Sequence, residues 1–170
     1  DVTLRLYEIL TKRVSEEKLN KIYEVFEKPM IKILSKIETN GIKIDDNYLK
    51  KLSKKFNDRL IKIEKKIYEV AGKKFNIASP KQLGEILFLE MRIKGGKKTK
   101  TGTFSTDSSI LEDLASQGQK IAKFVLDWRE VTKLRSTYTD ALQEQIDFIT
   151  KRVHTSFLLA ATTTGRLASS

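Results

Sequence analysis

The chain has 170 residues, enough for one domain or one domain with flanking pieces, and its 39% hydrophobic content supports a modest core. It contains no Cys, which excludes disulfides and thiolate metal sites and fits a reducing cytoplasm, and no apolar run nears the roughly 18 residues of a membrane span. The net charge is +11, and residues 43–100 hold 17 Lys and Arg against 7 Asp and Glu; so lopsided a block suits a polyanion, nucleic acid before membrane, the alternative being a compositional drift toward Lys, Ile and Asn.

Gly and Pro are scarce, which favours long helices. Residues 1–28 read as helix, polar connection and helix. Pro29 sits where a new helix starts, because its missing N–H costs nothing in a first turn. Met30, Ile33, Leu34 and Ile37 keep helical spacing, and Gly41 is a natural stop. Ile42 to Ile44 is a short extended piece, and Asp45 or Asp46 caps the next helix.

That helix, about 47–71, is about 37 Å long at 1.5 Å per residue. Leu49, Leu52, Phe56, Leu60, Ile63, Ile67 and Val70 form its apolar stripe, and lysines cover the rest. Ser79, Pro80 and Gln82 make a capping box for a short helix carrying Leu83, Ile86, Leu87 and Leu89. A basic loop (Lys94 to Gly102) follows, and Ser105 or Thr106 caps a helix with Ile110, Leu111 and Leu114. The last long helix spans about 121–149, with Trp128, Val131, Leu134, Tyr138 and Leu142 on one side. The expected fold is mainly α: a long antiparallel helical hairpin with a small helical basic tip, plus a short C-terminal β segment.

The tip combines two helix N-termini, near Ser79 and Thr106, with Lys97, Lys98 and Lys100. Free N–H groups and a positive dipole end favour phosphate. That suits gripping a sugar-phosphate backbone; an exposed polar loop is the other reading. The loop is no nucleotide-binding P-loop, since no Gly-Lys-Ser/Thr follows its glycines. Arg129, Lys133 and Ser136, with Arg135, Thr137 and Tyr138 nearby, make a row of donors suited to successive phosphates, or simply a solvated face. Trp128 is expected as a core anchor rather than a base-stacking platform. His154 has no partners for metal or acid–base work and reads as a strand residue. Arg166, on a Thr-Gly-Arg turn, suits a minor groove.

Several blocks in order resemble the family A DNA polymerases: IETNGIKID, FNIASPKQLGEILF, KTGTFSTDSSILEDLA, WREVTKLRSTYTDAL and RVHTSFLLAATTTGRLASS. The resemblance implies a thumb subdomain at residues 29–150, preceded by the tail of an exonuclease-like domain (1–28) and followed by the start of the palm (151–170). It assigns Asn76, Ser79, Lys100, Ser105 and Thr106 to tip positions that hold the duplex backbone. Arg129, Lys133, Ser136 and Thr137 match a helix edge near the primer end. Arg166, with Thr163 and Thr164, matches a palm Arg at the minor groove. The family usually has Ser where Ala168 stands.

The resemblance further implies a parent DNA-directed DNA polymerase, a nucleotidyltransferase of replication and repair. That parent would use two Mg²⁺ ions and bind primer–template DNA alongside its remaining palm and fingers. The family's catalytic carboxylates and fingers residues find no match here. The chain alone is therefore expected to be inactive, with no catalytic residue, metal ligand, cofactor or membrane partner of its own. A free-standing basic helical nucleic-acid-binding module is the alternative, and a scaffold that binds no nucleic acid is a third.

Overall fold

Reversed pairings across two long helices define the main body. Ser53 meets Asp140, Asn57 meets Arg135, and Glu64 meets Trp128, so the helices run antiparallel. These contacts come from a computed structural model that describes residues 1–99 and 102–169. The chain is mainly helical, with only short antiparallel strand pairs, and divides into two compact units: Asp45–Glu144, and Asp1–Ile44 with Gln145–Ser170.

In the Asp45–Glu144 unit, α4 (Asp46–Ala71) starts at Asp45, whose carboxylate accepts the Tyr48 N–H, and stops at Gly72 in the left-handed conformation. Next come α5 (Pro80–Glu85), α6 (Ser108–Ser116), α7 (Lys120–Lys133) and α8 (Ala141–Glu144). Leu60, Ile63 and Ile67 of α4 pack with Leu83, Ile86, Leu87, Leu111, Leu114, Ile121, Val125 and Val131 in one core. Burying a side chain of this size contributes about 1.5–3 kcal/mol.

Among the described residues there are three π-helical turns: Tyr23–Glu27 and Leu134–Asp140 lie within helices that continue on both sides, and Ile86–Glu90 ends the helix begun by α5. Each inserts a residue and shifts the inward face by about one position. Thus Tyr138, expected on the apolar side, is 54% exposed, and Thr139 is buried in its place. In the second wide turn Leu89 is exposed and Phe88 buried, again one position from the expected stripe. Val70 is also exposed, because the inward position after Ile67 falls on the smaller, half-buried Ala71.

The other unit holds α1 (Val2–Glu16), α2 (Asn20–Ile22) and α3 (Lys28–Asn40), with β1 (Ile42–Lys43), β2 (Arg152–Val153), β3 (Phe157–Leu158) and β4 (Ala168–Ser169). Pro29 does not open a separate helix. The chain is helical from Asn20 to Asn40, and the wide turn just before Pro29 makes room for its ring. Strands β1 and β2 pair antiparallel, as do β3 and β4. The last long helix ends at Glu144, short of the expected 149. Asp147 accepts the N–H groups of Ile149 and Thr150, offering the backbone a turn instead of helix. His154 donates from Nδ1 to the Glu38 carbonyl at 2.7 Å, and its Nε2 lies 2.9 Å from the Thr150 hydroxyl.

Candidate nucleic-acid interface

The tip is built from short-range polar geometry on an aromatic base. Ser79 caps α5 by accepting the Gln82 N–H. Gln82 reaches back past the cap to accept the Asn76 N–H at 2.8 Å. Asn76 in turn accepts the Ala78 N–H at 3.0 Å, so its oxygen belongs to the turn and its NH₂ is the group left for a ligand. Ser79 and Asn76 therefore sit in one ordered turn.

The basic loop carries a small paired hairpin. Lys98 bridges Phe104, the Thr99 N–H reaches the Thr103 carbonyl at 2.7 Å, and the Ser105 N–H reaches the Lys97 carbonyl at 2.8 Å. Phe104 stacks against Phe88 with centroids 5.0 Å apart. Two glycines permit this closeness: a Cβ on Gly96 would lie 2.8 Å from the Phe88 ring, and one on Gly84 would lie 2.9 Å from the Phe104 Cβ. Lys98 holds its ammonium 5.6 Å from the Phe104 ring centre, and Lys97 and Lys98 are both exposed. Lys100 lies outside the described residues.

Ser105, Thr106 and Arg129 form a second cluster. The Ser105 hydroxyl donates to Asp107 and accepts the Asp107 N–H, and the cap residue of α6 is Asp107 rather than Ser105 or Thr106. Thr106 is buried. Arg129 donates to the Thr106 carbonyl at 2.6 Å and to its hydroxyl at 3.1 Å. Burial pushes the Arg129 guanidinium below its ordinary value, opposed by nearby Asp107. The guanidinium is thus tied to the protein backbone.

Along the wide turn after α7, Lys133, Ser136 and Thr137 are exposed on one edge. Arg135 turns inward instead, to Asp140 at 3.1 Å and Asn57 at 2.8 Å, and Asp140 also accepts the Ser53 hydroxyl. Trp128 is half-buried against the core and donates Nε1–H to Glu64 at 2.9 Å. These interhelical ties were not apparent from sequence spacing, because their partners lie 64 to 87 residues apart.

Thr163, Thr164 and Arg166 belong to the other unit, in the turn joining β3 to β4, and all three are exposed. Gly165 takes φ +72° there, and the Thr162 hydroxyl donates to the Arg166 carbonyl at 2.8 Å, leaving the guanidinium in solvent. Among the described residues, no group of three His, Asp or Glu is placed to hold a metal ion, and no helix is long and apolar enough to cross a membrane.

The family model for DNA polymerase family A matches residues 46–170. The chain is 50% identical over its whole length to DNA polymerase I of Rhizobium leguminosarum, covering 17% of that protein. It is 40% identical to DNA polymerase I of Pseudomonas aeruginosa, covering all of this chain and 19% of that one. It therefore spans less than a fifth of the length of these relatives. A solved structure of the POL domain of Pol1 from M. smegmatis, in complex with DNA primer-template and dNTP, superposes with a TM-score of 0.86 at 32% identity, over 98% of this chain and 29% of the other. A match to the family model over most of the chain, with identity this high to such relatives, leaves one assignment: the chain belongs to DNA polymerase family A.

Proposed function

We propose that residues 29–150 are the thumb of a DNA-directed DNA polymerase. This thumb grips primer–template duplex through the backbone, without sequence preference, for synthesis in replication and repair. Residues 1–28 are the tail of a preceding exonuclease-like domain, and residues 151–170 are the start of the palm. The observation that carries the reading is the likeness, over nearly the whole chain, to a POL domain solved with primer-template. Asn76, Ser79, Lys97, Lys98 and Lys100 are the tip contacts, and Lys133, Ser136 and Thr137 follow the strand. Arg166, with Thr163 and Thr164, reaches the minor groove. Ser105, Thr106 and Arg129 support the grip by fixing the start of α6.

The parent's two Mg²⁺ ions would stabilise charge on the attacking and leaving oxygens of nucleotide transfer. The described residues offer no ligand set that fits them. On this reading the catalytic carboxylates lie in other parts of the parent, and this chain alone does not polymerise.

The test is fluorescence anisotropy of a labelled primer–template duplex at several salt concentrations, with single-stranded DNA as competitor. Duplex-preferring binding that weakens steeply with salt is expected, and reversing Lys97, Lys98 and Lys100 to Glu should remove the part of it held at the tip. Binding untouched by that reversal would overturn the reading.

A further inference from the structure

We infer that the solvent face of α4 is a second binding surface for the phosphate backbone of double-stranded DNA, beyond the grip assigned to the tip. Lys51, Lys54, Lys55, Lys62, Lys65 and Lys66 are all exposed. Their helical spacing puts them opposite Leu60, Ile63 and Ile67, which face the core. From Lys51 to Lys66 the stripe runs about 22 Å, a length over which one DNA strand presents about six phosphates.

The six lysines share their face with two exposed carboxylates, Asp58 and Glu69, and keep a clear positive excess over them. Among the described residues, Lys65 alone of the six has a carboxylate within 4.0 Å, Glu69 at that limit. Drift in composition would load every helix alike, and α1 argues against it. That helix interleaves signs and pairs them, Lys12 with Glu16 at 3.8 Å and Arg13 with Glu17 at 2.7 Å. A solvated face ordinarily looks like α1, so the lysine excess on this face of α4, broken only by Asp58 and Glu69, calls for an anionic partner.

The side chains select the kind of partner. Ammonium groups on flexible stems meet phosphates as point charges and read no base. Single strands usually need aromatic platforms, and Tyr48 at the start of α4 is the one exposed aromatic on this helix. Ile61 is the one large apolar side chain exposed among the six lysines, too little to anchor in a membrane interface. Because α7 packs on the opposite side of α4, a rigid duplex on the stripe lies on the far side of α4 from Lys133. It is therefore a second duplex, not the one held at the primer end.

The experiment counts duplexes per chain by calorimetric titration of this 170-residue chain with a 14-base-pair duplex at low salt. Two sites are expected. The combined changes Lys51→Gln, Lys55→Gln, Lys62→Gln and Lys66→Gln should remove one, with a salt slope smaller by about 3 to 4 at roughly 0.9 per phosphate. Arg at the same four positions should retain it, and circular dichroism checks that each variant is folded. The remaining site should vanish with Lys97→Glu and Lys98→Glu. One site in the unaltered chain, lost with the tip changes and indifferent to the four glutamines, overturns this inference and leaves the thumb reading standing. One site lost only with the four glutamines supports it and overturns the tip grip. Preferential binding of oligo-dT or of phosphatidylserine vesicles to the stripe would overturn the assignment to duplex DNA.

Discussion

Arg129 grips Thr106 through two of its guanidinium nitrogens, one on the carbonyl and one on the hydroxyl. A planar fork serves this geometry and an ammonium does not, so Arg129→Lys is not conservative here. We expect it to lower stability by about 1.5–3 kcal/mol, the range for hydrogen bonds to a charged group. Duplex affinity should fall as the start of α6 loosens, while the slope of log affinity against log salt stays as it was. Chemical denaturation and salt-dependent anisotropy measure both; a slope reduced by about 0.9 would instead make Arg129 a direct phosphate contact.

Trp128 is the only Trp in the chain, so its fluorescence reports on one interhelical bond. Glu64→Gln keeps an acceptor and should be close to neutral. Glu64→Ala leaves the half-buried indole N–H without it and should cost about 1 kcal/mol, read by urea unfolding followed at the Trp emission. Equal stability of both variants would show that the bond contributes nothing measurable.

Gly96→Ala changes no charge, yet it should weaken DNA binding. The new Cβ would stand 2.8 Å from the Phe88 ring and must push the Lys97–Lys98 hairpin off its base. Overpacking of this kind costs about 1–3 kcal/mol. Thermal melts and duplex anisotropy should both register it, and unchanged values in both would refute the tight seat.

Asp147 supplies the pH dependence. Hydrogen bonds from the Thr150 backbone and hydroxyl, and from the Ile149 N–H, with His154 nearby, hold its carboxyl below the ordinary 3.8. The folded form binds this proton less tightly than the unfolded form. Its contribution is therefore present above the ordinary value and is lost as pH falls through the lower folded value. NMR titration of the Asp147 carboxyl should give a midpoint below 3.8, and Asp147→Asn should remove that part of the acid response; a midpoint at or above 3.8 contradicts the turn.

On the proposed reading Arg166 works with palm segments elsewhere in the parent, so Arg166→Ala should have little effect on duplex binding by this chain. In the complete polymerase the same change should cost primer positioning, seen as slower extension at saturating nucleotide. An equal, strong loss of DNA binding in both settings would contradict the minor-groove role.

Much of the fold was legible because caps and spacing are local signals. Asp45, Gly72 and Ser79 mark helix ends where expected, and Leu60, Ile63 and Ile67 are buried as their spacing requires. Tyr138 and Leu89 were placed on the wrong face because a 3.6-residue period contains no sign of an inserted residue. The start of α6 was misplaced because Ser105 uses its hydroxyl on Asp107, two residues on, in a local turn. At the site, the exposed lysines and the Ser79 turn could be read from sequence. The inward course of Arg135 and the seating of Arg129 on Thr106 could not, since both depend on partners brought together only by the packed arm.

The wide turn at Leu134–Asp140 also bears on chain length. It carries one residue beyond what a regular turn would need, a local surplus held within a helix that continues on both sides. Deleting a single residue there would let the turn relax to ordinary α geometry, with α7 and α8 still in line. The same deletion within α4, which has no surplus, would rotate every later side chain by about 100° and turn Ile63 and Ile67 out of the core. Tolerance to deletion in this arm is thus concentrated at its wide turns, and a deletion scan should find its survivors there.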